Sequence, residues 1–175
     1  MSAVLIRAMA AEDLEAVSDL HLRNWRDSYA GLLDSAFLGE PVVKDMARRW
    51  AQVPSAPDFA IVAVKGGILT GFARLRVDHP KGPLLMNLHV DAQHRGTGSG
   101  RALFEACVCH VLEQGLDRLW LEVLLGNQAA RELYARWGGV ESEPFEDSIS
   151  GTPVTSVCVS WPAVSRLTLG PIRPS

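Results

Sequence analysis

The stretch Leu84 to Arg101, LLMNLHVDAQHRGTGSGR, constrains this chain more than any other, because an apolar run passes into a glycine-rich loop that opens a helix. Gly96, Gly98 and Gly100 let the backbone turn tightly and aim several N–H groups at one point. The N-terminus of the helix that follows adds about half a positive charge there. Such a junction suits an anion, and a phosphate or pyrophosphate is its natural guest.

The spacing excludes two common phosphate binders. A dinucleotide fingerprint needs G-x-G-x-x-G, but here the third glycine falls one residue early and Arg101 stands in its place. A nucleotide P-loop ends in Gly-Lys-Ser/Thr, where this chain has Gly100-Arg101-Ala102. What remains is Arg95-x-x-Gly98-x-Gly100. Leu84, Leu85, Met86, Leu88 and Val90 form a strand ahead of it, and Leu103, Phe104, Cys107, Val108, Val111 and Leu112 fall at helical spacing behind it, with Gly115 placed to end the helix. A second strand spans Leu116 to Leu125, where Leu119, Leu121 and Val123 alternate with Arg118, Trp120 and Glu122. This βαβ unit predicts parallel neighbouring strands joined by a right-handed crossover. Next comes Asn127-Gln128-Ala129-Ala130-Arg131-Glu132-Leu133-Tyr134-Ala135-Arg136-Trp137-Gly138.

The loop resembles the R/Q-x-x-G-x-G/A acyl-CoA pyrophosphate loop of the GNAT N-acetyltransferase superfamily, and the later segment resembles that family's N-x-x-A-x-x-x-Y-x-x-x-G. Two motifs in the right order and at the right distance are far more specific than either alone. The rest of the chain agrees. Val4 to Met9 reads as a strand. Leu14, Val17, Leu22, Trp25 and Tyr29 form the stripe of a helix from Ala11 to Tyr29, broken by Gly31. Leu38, Val42, Met46 and Trp50 mark a second helix, with Pro41 near its start and Pro54 and Pro57 after it. Phe59 to Lys65, Gly66-Gly67 and Ile68 to Val77 read as a hairpin, and Gly139 to Ser148 and Thr152 to Trp161 as a final pair about Ser150-Gly151. The order β-α-α-β-β-β-α-β-α-β-β is that of the GNAT fold, so the resemblance covers roughly Val4 to Trp161. The expected class is α/β (α+β), a mixed central sheet of about seven strands with flanking helices. One domain is expected over 1–161, followed by a Pro-containing tail over 162–175.

The resemblance implies an N-acetyltransferase that uses acetyl-CoA as cosubstrate and transfers its acetyl group to a primary amine by direct attack. A non-catalytic acyl-CoA-binding or regulatory module on the same fold is the alternative. It implies that coenzyme A lies along Leu88, His89 and Val90 of the strand edge, on the loop Arg95, Gly96, Thr97, Gly98, Ser99, Gly100 and Arg101, and against Asn127, Ala130 and Tyr134. A backbone N–H near Val90 would stabilise the developing oxyanion, and Tyr134 would act as general acid. Asn127 also suits a helix N-cap. Many relatives carry a glutamate where this chain has Leu84, so the base is open between Glu122, His89 and water. Glu122 alternates away from the apolar residues of its strand; otherwise it is a solvated charge or a partner of Arg118 or Arg101. His89 and Asn87 share a face, and a near-neutral histidine can relay a proton. The segment Trp25-Arg26-Asp27-Ser28-Tyr29-Ala30-Gly31-Leu32-Leu33 looks like the acceptor side of some small-molecule acetyltransferases, so Trp25, Tyr29 and Asn87 are candidate acceptor contacts.

Composition narrows the partners. A chain of 175 residues with 47% hydrophobic content buries one core, and a formal net charge of -3 without a basic run argues against nucleic acid and anionic membranes. The N-terminal apolar stretch is too short for a signal peptide, and no run of about 18 apolar residues occurs, so a cytoplasmic location is expected. The resemblance implies a small-molecule amine or a protein N-terminus as acceptor, and a homodimer is compatible with it. His21, His79 and His110 carry no pattern and no metal is expected. Cys107, Cys109 and Cys158 are odd in number and lack metal spacing, with Cys107 and Cys158 expected as buried free thiols.

Overall fold

A computed structural model describes residues 3–31 and 33–168 of the chain. In order these form β1 (Leu5–Ala8), α1 (Leu14–Tyr29, entered through a 3-10 turn at Ala11–Asp13), α2 (Glu40–Arg49), β2 (Asp58–Lys65), β3 (Ile68–Arg76) and β4 (Leu84–Val90). Then follow α3 (Ser99–Glu113), β5 (Leu119–Leu124), α4 (Gln128–Arg136), β6 (Val140–Glu141), β7 (Phe145–Ile149) and β8 (Thr152–Trp161). The strands form one eight-stranded sheet in the order β1-β2-β3-β4-β5-β8-β6, with β7 also paired to β8. Every pairing is antiparallel except β4 with β5.

Each sheet face has its own core. Val17, Leu20, Trp50, Val62 and Phe72 pack on the α1 side. Leu85, Leu103, Phe104, Val111, Tyr134, Val159 and Trp161 pack on the α3 and α4 side. The α3 helix stops as expected: Gly115 takes φ 74, the Gly115 N–H donates to Leu112 O at 2.9 Å and the Leu116 N–H to Val111 O at 3.1 Å. That pair of hydrogen bonds caps the last carbonyls and needs a residue at positive φ, which glycine adopts without strain.

Several expectations are corrected. The sheet has eight strands rather than about seven, because the final arm breaks at Ser142–Pro144 into β6 and β7, which pair with successive parts of β8. The second strand of the βαβ unit starts at Leu119 rather than Leu116. Leu112, expected on the buried stripe of α3, is 39% exposed. The buried face of α1 is Val17, Leu20, His21 and Asn24, while Leu22, Trp25 and Tyr29 are only half-buried. Two polar side chains therefore occupy the face that periodicity assigns to apolar ones. Cys158 is half-buried rather than buried, on a strand position opposite Glu122, and Cys109 is exposed. The first part of the expected tail docks on the body: Val164 is 2% exposed and the Ser165 N–H and hydroxyl donate to Asp117. Residues 169–175 lie outside the described residues.

Candidate active site

The β4 strand carries the extra residue of a bulge. Leu75 pairs with Leu85 and the next β3 residue, Arg74, with Asn87, which leaves Met86 as the extra residue, 38% exposed. The bulge resets the alternation of faces. Leu85, Leu88 and Val90 all pack toward α3, while Asn87 and His89 share the opposite face. The Asp91 N–H donates to Thr70 O at 2.9 Å, so His89, two residues back, directs its peptide groups to β3 as well. The N–H and C=O of Leu88 and Val90 then point the other way, toward β5.

There they meet an opening rather than a strand, apart from the Val90 C=O, which accepts from the Asn24 amide at 3.1 Å. The β4–β5 ladder has one pair, Leu84 with Trp120, supported by the Trp120 N–H donating to Pro83 O at 3.1 Å. Strand β5 is paired with β8 on its other edge from Leu119 to Leu124, and from Leu121 onward it makes no pair with β4. The gap leads at one end to the glycine loop, where Gly98 holds φ 90 directly before α3. That left-handed residue lets the chain enter the helix while the N–H groups of its first turn, which have no intrahelical acceptor, face the loop. Gly100 permits close packing of the helix start on β4: a Cβ there would stand 3.3 Å from Val90 Cγ2.

The loop side chains serve different ends. Ser99 is 1% exposed and its Oγ lies 3.2 Å from Thr70 Oγ1 and 3.3 Å from Thr97 Oγ1, while the Thr97 hydroxyl donates to His94 O at 2.7 Å. These hydroxyls brace the loop, so Ser99 and Thr97 offer an anion chiefly their backbone N–H groups. Arg101 Nε donates to Glu105 at 2.8 Å, and Arg95 reaches Asn24 Oδ1 at 3.5 Å. Asn127 caps α4 by accepting from the Ala130 N–H at 3.3 Å.

On the α1 side of the gap lies a cavity of about 280 Å³, lined by residues that include Tyr29, Leu84, Met86, Glu122, Asp147 and Ser156. Glu122 is exposed and makes no ion pair among the described residues, so of the alternatives to a catalytic role it matches the solvated charge rather than a pair with Arg118 or Arg101. Asp147, which sequence reasoning missed, stands on β7 and accepts from the Ser156 hydroxyl at 3.2 Å. Its charge, together with burial, which acts more strongly, pushes the Tyr29 phenol up. Trp25 is not on the cavity wall; it packs on Tyr29, ring centroids 4.3 Å apart. Leu32, part of the expected acceptor segment, lies outside the described residues.

His89 does not reach this cavity. Its ring sits 4.6 Å from His21 and 5.2 Å from Phe72, and burial, aided by the Arg95 charge, lowers its pKa to about 4. Asn87 is on the same face and also off the cavity wall. His21 accepts from the Trp50 indole at 3.0 Å and is driven by burial, then by His89, to about 2. Tyr134 belongs to the opposite core, edge-on to Trp137 and Trp161 at 6.0 Å each, and burial pushes its phenol up to about 12. Glu122 and Tyr134 thus belong to the two sides of the sheet that flank the gap. The described residues contain no group of His, Cys, Asp and Glu able to hold a metal, and no described helix is long and apolar enough to cross a membrane.

The profile of the Acetyltransferase (GNAT) family matches residues 14–139, which run from the start of α1 past the glycine loop to the end of α4. The chain belongs to that family. Mycothiol acetyltransferase of Thermobispora bispora is 35% identical over 107 residues, covering 57% of this chain and 36% of that protein. The match therefore spans about a third of that relative's length. Among solved structures, a GCN5-related N-acetyltransferase from Rhodopseudomonas palustris superimposes with a TM-score of 0.73 at 20% identity, covering 91% of this chain and 96% of that one. PaiA N-acetyltransferase from Thermoplasma acidophilum, solved with coenzyme A, gives 0.64 at 16% identity, covering 89% and 98%. At such identities these structures share the fold.

Proposed function

We propose that this GNAT chain is an acetyl-CoA-dependent N-acetyltransferase that passes the acetyl group directly to a primary amine in a ternary complex. The observation that carries the reading is the gap between β4 and β5, open beyond the single Leu84–Trp120 pair, which lies between the glycine-rich loop and a cavity bearing Glu122. The residues fit coenzyme A: the first turn of α3 and Arg95 suit its pyrophosphate, and the outward peptide groups of Leu88 and the Val90 N–H suit its amide-bearing arm. A relative crystallised with coenzyme A supports the assignment.

When bound, acetyl-CoA supplies the thioester carbonyl that the amine attacks. Glu122 attracts the cationic acceptor and takes its proton, directly or through water. Placement favours it over His89, whose ring packs on His21 and Phe72 and is off the cavity wall. The Val90 N–H points into the gap and stabilises negative charge on the attacked carbonyl oxygen. As the new C–N bond forms and the C–S bond breaks, Tyr134 donates a hydrogen bond to the sulfur. With its pKa pushed up to about 12, full proton transfer to a thiolate of pKa about 8.5 would cost about 5 kcal/mol. Tyr134 therefore steadies the thiolate, which leaves as such or takes a proton from solvent. Among the described residues the cavity lining holds Glu122 and Asp147 and no Lys or Arg, so the acceptor arrives as a cation, from a small molecule or a protein N-terminus.

The second reading, an acyl-CoA-binding module without catalysis, draws on Leu84, which puts an apolar side chain on the cavity wall. An amine screen for release of free CoA thiol separates the two. Turnover with any amine establishes the transferase; tight acetyl-CoA binding without release supports the module; no binding of acetyl-CoA ends both.

A further inference from the structure

We propose that Asn24 is a positioning residue that fixes the Val90 peptide at the open edge of β4 and links it to the glycine loop through Arg95. The proposal rests on the acetyltransferase reading above and concerns a residue sixty-six positions from Val90 in sequence.

Asn24 occupies the interior of α1 and is 5% exposed. Asparagine is a poor residue for a helix interior, and a buried amide is costly unless its hydrogen bonds are made. A leucine would serve packing better. Here the Asn24 Nδ2 donates to Val90 O at 3.1 Å and its Oδ1 accepts from Arg95 at 3.5 Å. The adjacent Arg23 pairs with Asp91 at 3.0 Å, so consecutive residues of α1 grip the end of β4.

The peptide between Val90 and Asp91 is therefore held at both edges. Its N–H donates to Thr70 O at 2.9 Å, and its carbonyl accepts from Asn24. Thr70 is fully buried, and its hydroxyl meets Ser99, the first residue of α3. One plane thus joins α1, β3 and the helix that follows the loop. The electrostatics give Asn24 a second role. The Val90 carbonyl opens on the same side as the Val90 N–H, and its negative end would oppose the charge that grows on an attacked carbonyl oxygen. The Asn24 amide covers that carbonyl, leaving the N–H to dominate the local field.

The test compares Asn24→Ala, Asn24→Asp and Asn24→Ser with the wild type. Thiol release from acetyl-CoA is measured with the best amine of the screen, or with water where no amine serves. Calorimetry with coenzyme A measures affinity in parallel, and thermal melting checks folding. Asn24→Ala is expected to lower kcat at least tenfold while the coenzyme A Kd rises less than threefold. Asn24→Asp, which keeps an acceptor for Arg95 but has no donor for Val90, is expected to lose at least as much. Asn24→Ser, too short to reach Val90, carries the same expectation if the alanine variant does not fold. A purely structural role predicts a lower melting temperature with kcat unchanged, or recovery in Asn24→Asp, and either result overturns the proposal. Equal losses of kcat and coenzyme A affinity also overturn it. If the wild type neither binds coenzyme A nor releases thiol, the acetyltransferase reading itself fails.

Discussion

Tyr134 and Glu122 carry opposite burdens in this site, and their environments explain why. Tyr134 is buried among tryptophans and stays protonated across the working pH range, with its pKa pushed up to about 12. Tyr134→Phe keeps the ring and removes the hydroxyl, so kcat should fall by about 10- to 10²-fold, as expected for losing a hydrogen bond to a charged group worth about 1.5–3 kcal/mol. Acetyl-CoA affinity should be nearly unchanged; unchanged kcat on a good acceptor would make the hydroxyl structural. Glu122 stands exposed in the cavity, and as base it should give kcat/KM an ascending limb with pH. Glu122→Gln should remove or move that limb and cost at least about tenfold, whereas His89→Ala should leave its position unmoved. The reverse pattern would return the role to His89. The turn of the glycine loop into α3 and the place of Tyr134 on α4 were legible because both follow from local residue types at fixed spacing. Asn24, His21 and Asp147 were not, since each acquires its partner from a distant segment: Asn24 from Val90, His21 from Trp50, Asp147 from Ser156.

At the scale of elements, periodicity located the strands and helices but misread which side chains face where. The Met86 bulge is the clearest case. Strict alternation along β4 would put Leu85 with Asn87 and His89, yet the extra residue sends Leu85 to the α3 core and the other two to the α1 face. Helix α1 was misread for a different reason: its buried polar residues are satisfied by tertiary hydrogen bonds that no helical pattern encodes. The loop into α3 was read correctly, and it makes a sharp prediction. Gly98 sits at φ 90, where a β-branched residue is strained by about 1–2 kcal/mol. Acetyl-CoA at a hundredfold excess over Kd should stabilise the wild type by about 2.7 kcal/mol. For a chain of this size that is a rise of about 5–10 °C in Tm. In Gly98→Val the shift should vanish, while ATP and NAD should do little for either protein. A far larger shift with ATP or NAD than with acetyl-CoA would exclude the cofactor assignment.

The whole molecule should weaken on mild acidification, because two of its histidines are neutral in contact with one another. His21 is 3% exposed, accepts a hydrogen bond from the Trp50 indole and is lowered to about 2; His89 lies 4.6 Å from it and is lowered to about 4. Each would be protonated near pH 6.5 in the unfolded chain. A group whose pKa is depressed by folding binds more protons when unfolded, so its stabilisation is complete above about pH 6.5 and is lost as pH falls toward the folded value. Between pH 7 and pH 5 each histidine should cost about 2 kcal/mol, before any coupling between them. Groups facing the pair do little to rescue it: Arg95 adds positive charge near His89, and Arg49 acts in the same direction on His21. The carboxylates held low by arginines, Asp13 and Asp58, lose their contribution only at lower pH, because their ordinary values already lie near 3.8. Urea unfolding at pH 7.5, 6 and 5 should therefore show a loss of about 2–4 kcal/mol over a range in which the carboxylates are silent. His21→Gln should start less stable, since the Trp50 indole loses its ring acceptor, but its stability should fall less steeply with pH. A wild type whose stability is flat from pH 7.5 to 5 would show that both histidines take up protons in the folded protein as readily as in the unfolded chain.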